Sequence, residues 1–73
     1  MLSRSSKVPL YYQLYELLRG NILRGEWQPG DMLPTESELL EEYRVSRNTV
    51  RQALDALVND GLIHRQRGRG TFV

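Results

Sequence analysis

The sequence predicts a mostly helical α+β domain, in which helices come first and a β-hairpin closes the chain. Apolar residues recur at three- and four-residue steps through residues 10–58, as they do on the buried faces of helices. Thr35 and Ser46 each stand where a side chain would cap a new helix. After Gly61 the period changes, and strand-favouring residues flank a glycine-rich turn.

The first helix is predicted to begin at Pro9, because proline suits the first turn of a helix. Its apolar side chains form one stripe, at Leu10, Leu14, Leu17, Leu18 and Ile22. Gly25 and the proline-glycine pair that follows it end the helix, since glycine readily adopts the left-handed conformation. Ahead of the helix, residues 1–7 are polar. We expect them to be a flexible arm and residues 8–73 to be the folded domain.

Two further helices are predicted, with only a few residues between them. Thr35 and Glu38 have the spacing of a capping box, so the second helix begins there and ends before Arg44. Ser46 caps the third helix, and Asn59, Asp60 and Gly61 stop it. The core stripe of this helix is Val50, Ala53, Leu54, Leu57 and Val58.

The remaining segments are predicted to be extended. Residues 32–33 form a very short strand, because the residue before a proline avoids the helical region. An extended run over 62–66, a turn over 67–70 and a return strand over 71–73 make a hairpin. The order of helix, short strand, helix, tight connection, helix and hairpin is that of a winged helix-turn-helix.

Composition limits the chain to one small domain. It has 73 residues, 40% of them hydrophobic and 26% charged, which is typical of a globular protein. Cysteine is absent, so we expect a reducing compartment, the cytoplasm, and no disulfide. No signal peptide or long apolar run is present, so no membrane partner is expected. With a single histidine, His64, and no partner ligands, we expect no metal, no cofactor and no catalysis.

Charge is distributed unevenly along the chain. Residues 1–42 carry four basic against seven acidic side chains, a net charge of −3. Residues 43–73 carry six arginines against two aspartates, a net charge of +4 with His64 left out. This asymmetry suits a polyanionic partner, although a polar surface of uneven charge is an alternative.

The third helix has a second face, crowded with hydrogen-bond donors: Arg47, Asn48, Arg51 and Gln52. In helix-turn-helix docking, residues at the start of this helix enter the major groove. There arginine can bind guanine through two hydrogen bonds, and asparagine or glutamine can bind adenine. The alternative is a solvated helix face stabilised by a pair between Arg51 and Asp55.

The hairpin is also basic. Arg65, Arg67 and Arg69 alternate in an extended segment, so we expect them to project to one side. Gly68 and Gly70 remove bulk and allow close approach to a ligand. Arginine inserted into a narrow minor groove gains from its strong negative potential. The alternative is a flexible tip whose arginines keep an edge strand from pairing.

Several linked motifs carry a family resemblance: PGD-x-LP-x-E, VSR-x-TVR-x-AL, GL and RGRGTFV. From Val8 to Val73 the chain resembles the N-terminal winged-helix DNA-binding domain of GntR-family bacterial transcription regulators. The PLY opening of the first helix and the glycine-rich wing are most similar to the HutC-type branch. The resemblance implies sequence-specific binding of double-stranded DNA, with the recognition helix, residues 46–58, in the major groove. The wing, residues 65–71, would lie in the minor groove.

The residues that the resemblance implies for DNA contact fall into three groups: the start of the second helix, the start of the third, and the wing tip. They are Thr35, Glu36, Ser37, Ser46, Arg47, Asn48, Thr49, Arg51, Arg67, Gly68 and Arg69. The resemblance also implies a C-terminal effector-binding and dimerising domain, absent from this chain. The full-length protein is then expected to be a homodimeric, small-molecule-responsive repressor on a palindromic operator.

Two other classes of function stay open on the sequence. A winged helix that binds a protein would carry an apolar patch on the outer face of its third helix, where this chain has Arg47, Asn48 and Arg51. An enzyme is the second class, because some GntR-family members fuse this domain to an aminotransferase-like one. Here Lys7 is the only lysine and no second domain is present, so we expect no enzymatic activity.

Overall fold

The structure, a computed structural model that describes residues 2–73, has three helices followed by a two-stranded antiparallel hairpin. The elements are α1 (Leu10–Leu23), α2 (Glu36–Tyr43), α3 (Arg47–Asn59), β1 (His64–Gln66) and β2 (Gly70–Phe72). In the hairpin, Arg65 lies opposite Thr71. The predicted α+β class and the predicted order of elements are confirmed.

Side-chain caps fix where α2 and α3 begin. The Thr35 hydroxyl accepts a hydrogen bond from the Glu38 backbone at 3.1 Å, and the Glu38 carboxylate accepts one from the Thr35 backbone at 2.8 Å. This is the predicted capping box. The Ser46 hydroxyl accepts from the Thr49 backbone at 3.1 Å and caps α3. Between the two helices, Arg44 has a left-handed backbone with φ of 55°.

The core lies where α1 crosses α3, with α2 packed alongside. Its buried side chains are Leu14, Leu18, Ile22, Leu33, Leu39, Val50, Ala53, Leu54, Leu57 and Ile63. Leu10 and Leu17, which belong to the predicted α1 stripe, are only half-buried. Trp27 packs against the core from the turn after α1. Burial of apolar side chains on three helices is the main source of stability in a domain of this size.

The short extended segment before α2 ties the hairpin to the helices. Met32 forms a bridge with Phe72, as expected for a short strand. The Leu33 amide donates to the Thr71 carbonyl at 2.8 Å, beside this bridge. A Cβ atom on Gly70 would lie 2.9 Å from the Met32 sulfur, so only glycine fits this crossing without a shift.

The hairpin strands are shorter than predicted. The expectation that the first strand begins at Leu62 is wrong, because the Leu62 amide donates to the Leu57 carbonyl and completes the end of α3. Gly61, at φ of 76°, makes this closure possible. The third helix extends through Asn59, one residue past the predicted recognition helix, whose first residue, Ser46, is its N-cap.

The predicted arm spans residues 1–7, of which Met1 lies outside the described residues. Backbone N–H and C=O groups of Ser3 bind the Gln13 side chain at 2.7 and 2.9 Å. The Arg4 guanidinium donates to the Arg44 carbonyl. These contacts bring the arm beside the turn between α2 and α3.

Leu54 offers a test of the core, because it is 1% exposed on the buried face of α3. Leu54→Ala should lower the free energy of unfolding by about 2–5 kcal/mol, from lost burial and the cavity left behind. Urea denaturation followed by circular dichroism measures the change. Leu23→Ala is the control, since Leu23 is 60% exposed, and it should shift stability by less than about 0.5 kcal/mol. Equal losses in the two variants would contradict this packing.

A second test uses the hydrogen bond that the Tyr15 hydroxyl donates to the Asp60 carboxylate, which joins α1 to the end of α3. This bond, followed by desolvation, raises the pKa of Tyr15 above its ordinary value of 10.0. Because the folded-state pKa is the higher one, the stabilisation is complete below pH 10.0 and is lost as the pH rises through the folded-state value.

Tyr15→Phe should therefore be less stable than the wild type at pH 8, and the difference should shrink at about pH 11. Urea denaturation of both proteins at several pH values measures it. A difference that stays constant from pH 8 to about pH 11 would show that ionisation of Tyr15 does not affect folding.

Candidate nucleic-acid interface

The first turns of α2 and α3 meet at one carboxylate. Glu36 Oε1 lies 3.3 Å from Arg47 Nη1 and 3.2 Å from Arg51 Nε. Arg47 also donates from Nη2 to the Ser37 hydroxyl at 3.3 Å. Four of the residues implied for DNA contact thus form one group, the Glu36 cluster: Glu36, Ser37, Arg47 and Arg51.

Helix geometry explains the Glu36 cluster. Glu36 is the first residue of α2, where the helix dipole favours a carboxylate. Arg47 and Arg51 are four residues apart on α3, so their side chains lie on the same face and reach the same oxygen. The side chains of Glu36, Arg47 and Arg51 are 28%, 47% and 56% exposed. Ion pairs as open to water as these are weaker than buried ones, so a ligand that offers hydrogen-bond acceptors can replace them.

The other polar residues at the start of α3 divide into two groups. The hydroxyls of Ser46 and Thr49 lie 3.0 Å apart and take part in the helix cap, so they are already partnered. Asn48 and Gln52 are exposed, and neither side chain forms a hydrogen bond with another residue in the range 2–73. Their donors and acceptors are therefore available to a ligand.

The tip of the wing is a turn of Arg67, Gly68 and Arg69, with Gly68 at φ of 75°. The expectation that the three arginines alternate in one extended segment is wrong, because extended backbone ends at Gln66 and residues 67–69 form a turn. Arg65 belongs to β1, and its Nη1 lies 2.8 Å from Asp55 Oδ1 on α3. Within the described part of the chain, Arg67 and Arg69 form no ion pair.

The alternative pairing of Arg51 with Asp55 is also wrong. Arg51 binds Glu36, and Asp55 binds Arg65. Each ion pair joins α3 to a different element, and the partners are fifteen and ten residues apart in sequence. No sequence pattern signals such pairs, whereas residues four apart on a helix are an obvious but misleading candidate.

An open groove of about 530 Å³ lies between the start of α2 and the wing. Thr35 and Glu36 line one side, and the turn from Arg67 to Arg69 lines the other. The Glu36 cluster joins this groove to the first turns of α3, so eight of the eleven implied DNA-contact residues form one connected surface. Five arginines stand there against two carboxylates, a net charge of +3: Arg47, Arg51, Arg65, Arg67 and Arg69 against Glu36 and Asp55.

His64 contacts two other residues of the hairpin, Phe72 and Gln66. Its ring stacks on Phe72 with centroids 6.0 Å apart, and its Nε2 lies 3.1 Å from the Gln66 amide nitrogen. Across residues 2–73, no three His, Cys, Asp or Glu side chains are grouped so that they could hold a metal ion. Within the same range no helix is long and apolar enough to cross a membrane.

Comparison with known proteins decides the family. Residues 10–73 match the gntR family of bacterial regulatory proteins. The chain belongs to this family. It is 51% identical over 72 residues to the transcriptional repressor NagR of Bacillus subtilis, a match covering 99% of this chain and 30% of NagR. It is 52% identical over 65 residues to MngR, the mannosyl-D-glycerate transport/metabolism system repressor of Escherichia coli, covering 89% and 27%.

The gntR-family chain spans less than a third of these relatives. Solved structures have the same fold. AraR(DBD) in complex with operator ORE1 has a TM-score of 0.89 at 38% identity, covering 100% of this chain and 89% of the other. YtrA from Sulfolobus acidocaldarius, a GntR-family transcription factor, has a TM-score of 0.91 at 36% identity, covering 100% and 77%. The winged helix-turn-helix architecture is confirmed.

The Asp55–Arg65 ion pair joins the wing to α3, so its removal should loosen the wing. Asp55→Asn should make the β1 and β2 amides exchange about threefold faster, because an exposed ion pair contributes only modestly to local stability. Hydrogen exchange followed by NMR measures this. Glu41→Gln removes the same charge from α2, where Glu41 has no ion pair among the described residues. Equal wing protection in the two variants would show that the pair does not hold the wing.

Proposed function

We propose that this chain is the sequence-specific DNA-binding domain of a ligand-responsive bacterial repressor. The observation that carries the proposal is the continuous basic surface formed by the start of α2, the start of α3 and the wing. It combines the exposed side chains on the first turns of a helix with a separate basic turn, an arrangement that suits the major groove and the adjacent minor groove. The similarity to AraR(DBD), whose structure was solved in complex with an operator, supports DNA binding by this domain.

In this docking, α3 enters the major groove. Arg47 and Arg51 lie on the exposed face of its first turns, where each can bind guanine O6 and N7 or a phosphate. Asn48, with a free amide, can bind adenine. The amides at the start of α2, with Thr35 and Ser37, are placed to bind phosphate oxygens. Ser46 and Thr49 belong to the α3 cap, beside these residues in sequence.

The wing supplies the second contact. Arg67 and Arg69 are exposed and carry no competing carboxylate among the described residues. Gly68 lets the turn approach the DNA backbone closely. Arginine in a narrow minor groove is stabilised by the phosphate potential and needs no specific base.

A protein-binding role for the outer face of α3 has less support. The exposed large apolar side chains among the described residues are Val8, Tyr12, Leu23 and Met32. All of them lie outside α3. An apolar patch on the outer face is what a protein-binding winged helix needs, and polar donors take its place.

The relatives support a larger regulator around this domain. NagR and MngR are repressors of which the match covers only 30% and 27%, which leaves length for a C-terminal effector-binding and dimerising domain. Identity of 39% over 70 residues to the histidine utilization repressor of Klebsiella aerogenes supports the HutC-type branch. The proposed protein is cytoplasmic and non-enzymatic. It binds a palindromic operator as a homodimer, because a single small module buries little DNA surface.

Substitution of single arginines tests the docking. On an operator selected from random duplexes, Arg47→Ala should lower discrimination against a scrambled duplex by about 1–3 kcal/mol. Arg67→Ala should weaken both duplexes alike and reduce the slope of log affinity against log salt by about 1. Fluorescence anisotropy over a range of salt concentrations measures both.

The control is Arg24→Ala, since Arg24 is exposed and bound to Glu26 beyond the end of α1. This variant should bind both duplexes as the wild type does. If Arg47→Ala and Arg67→Ala also leave affinity and salt slope unchanged, the proposed docking is wrong.

A further inference from the structure

Glu36 is an acidic residue in the middle of a surface that otherwise suits a polyanion. It is the sole carboxylate within hydrogen-bonding reach of Arg47 and Arg51 in the part of the chain that the structure describes. It lines the groove that faces the wing, so DNA in that groove would bring phosphates near it. A carboxylate at this position repels phosphate, which requires an explanation if the surface exists to bind DNA.

The contacts of Glu36 explain why an acidic residue lies in this surface. In the free protein, one negative charge partly cancels two positive charges, and both arginines lie against the first turn of α2. Arg47 is held by a second bond to Ser37. A phosphate that binds either arginine must displace the carboxylate and then lie beside it. The cost is electrostatic, and it applies to every DNA sequence.

Guanine differs from phosphate in charge. Its O6 and N7 atoms are neutral acceptors that offer arginine two hydrogen bonds, so the nearby carboxylate opposes this contact far less. We propose that Glu36 is a specificity-determining residue that keeps Arg47 and Arg51 from binding phosphates and so favours base readout over non-specific binding. The inference rests on the proposed function and adds a role for the acidic residue within it.

The exposure of the Glu36 cluster suits such an exchange. A fully buried ion pair would not release its arginines, whereas side chains that are 47% and 56% exposed can move to a new partner. The capping box, which fixes the start of α2, is formed by Thr35 and Glu38 and does not use Glu36. Replacing Glu36 therefore leaves the cap of α2 intact.

The test is Glu36→Gln, which keeps the side-chain shape and removes the charge. On a scrambled duplex it should bind about threefold to tenfold tighter than the wild type, because the arginines are free to bind phosphates. The salt slope on that duplex should steepen by about 1 to 2 for the added phosphate contacts. Affinity for the selected operator should change less, so the specificity ratio should fall by about threefold or more.

Glu41→Gln is the matched control, since it removes the same charge from the same helix without freeing an arginine. It should change binding to both duplexes by less than about twofold. If the two variants tighten scrambled DNA equally, net charge alone is the cause and the inference fails. If Glu36→Gln weakens operator binding without tightening scrambled DNA, Glu36 instead contacts a base or positions the arginines, and the inference also fails.

NMR of the wild-type protein gives a second test of the inference, by following Arg51 as DNA is added. The Arg51 Nε–H resonance should keep its position when scrambled duplex is added, because Arg51 stays on Glu36, and should move when the operator is added. Movement with both duplexes overturns the inference.

A wild-type protein that does not distinguish the operator from the scrambled duplex would overturn the proposed function itself. Discrimination that Glu36→Gln leaves unchanged would overturn this inference alone.

Discussion

The left-handed turn between α2 and α3 is the constraint on which the candidate interface depends. Arg44 adopts φ of 55°, a conformation that costs a residue with a Cβ on the order of 1 kcal/mol. The Val45 amide donates to the Leu40 carbonyl, and Ser46 immediately caps α3, so the neighbouring contacts hold the turn in place. Because the connection is this short, the starts of both helices are fixed relative to each other.

The position of the wing depends on a different set of contacts. The Gly30 amide donates to the Val73 carbonyl, and the Val73 amide donates to the Asp31 carbonyl, both at 2.9 Å. A two-stranded hairpin alone is marginal in water. Pairing with the segment before α2, together with the Asp55–Arg65 ion pair, gives it support from two sides. The wing is thereby kept across the groove from the start of α2.

The features predicted correctly from the sequence are those with local causes. The capping box at Thr35, the cap at Ser46 and the core stripe of α3 depend on residues within one or two helical turns of each other. The ion pairs that were missed have distant causes. Arg51 pairs with Glu36, fifteen residues away, and not with Asp55, which pairs with Arg65. Tertiary geometry decides these pairs, and the local pattern does not indicate them. The later start of β1 has a local cause, since the Leu62 amide binds the Leu57 carbonyl at the end of α3.

The same distinction applies to the residues proposed for DNA contact. The resemblance to GntR-family regulators indicated the positions, and the structure shows how four of them form the Glu36 cluster. The contacts within the Glu36 cluster could not be predicted, since side chains on α2 and α3 meet only after the turn at Arg44 has set the angle between the helices. The extended segment predicted through the wing arginines is wrong because β1 ends at Gln66, and an alternation rule for strands does not hold within a turn.

The burial pattern has a consequence for how the domain adapts to a duplex. Three buried residues of α1 and four of α3 form most of the core, whereas α2 contributes only Leu39. A movement of α3 would therefore open the core, and the short turn at Arg44 fixes the start of α2 relative to α3. Adaptation to a duplex is thus left to exposed side chains, such as Arg47 and Arg51, while the two helices keep their orientation.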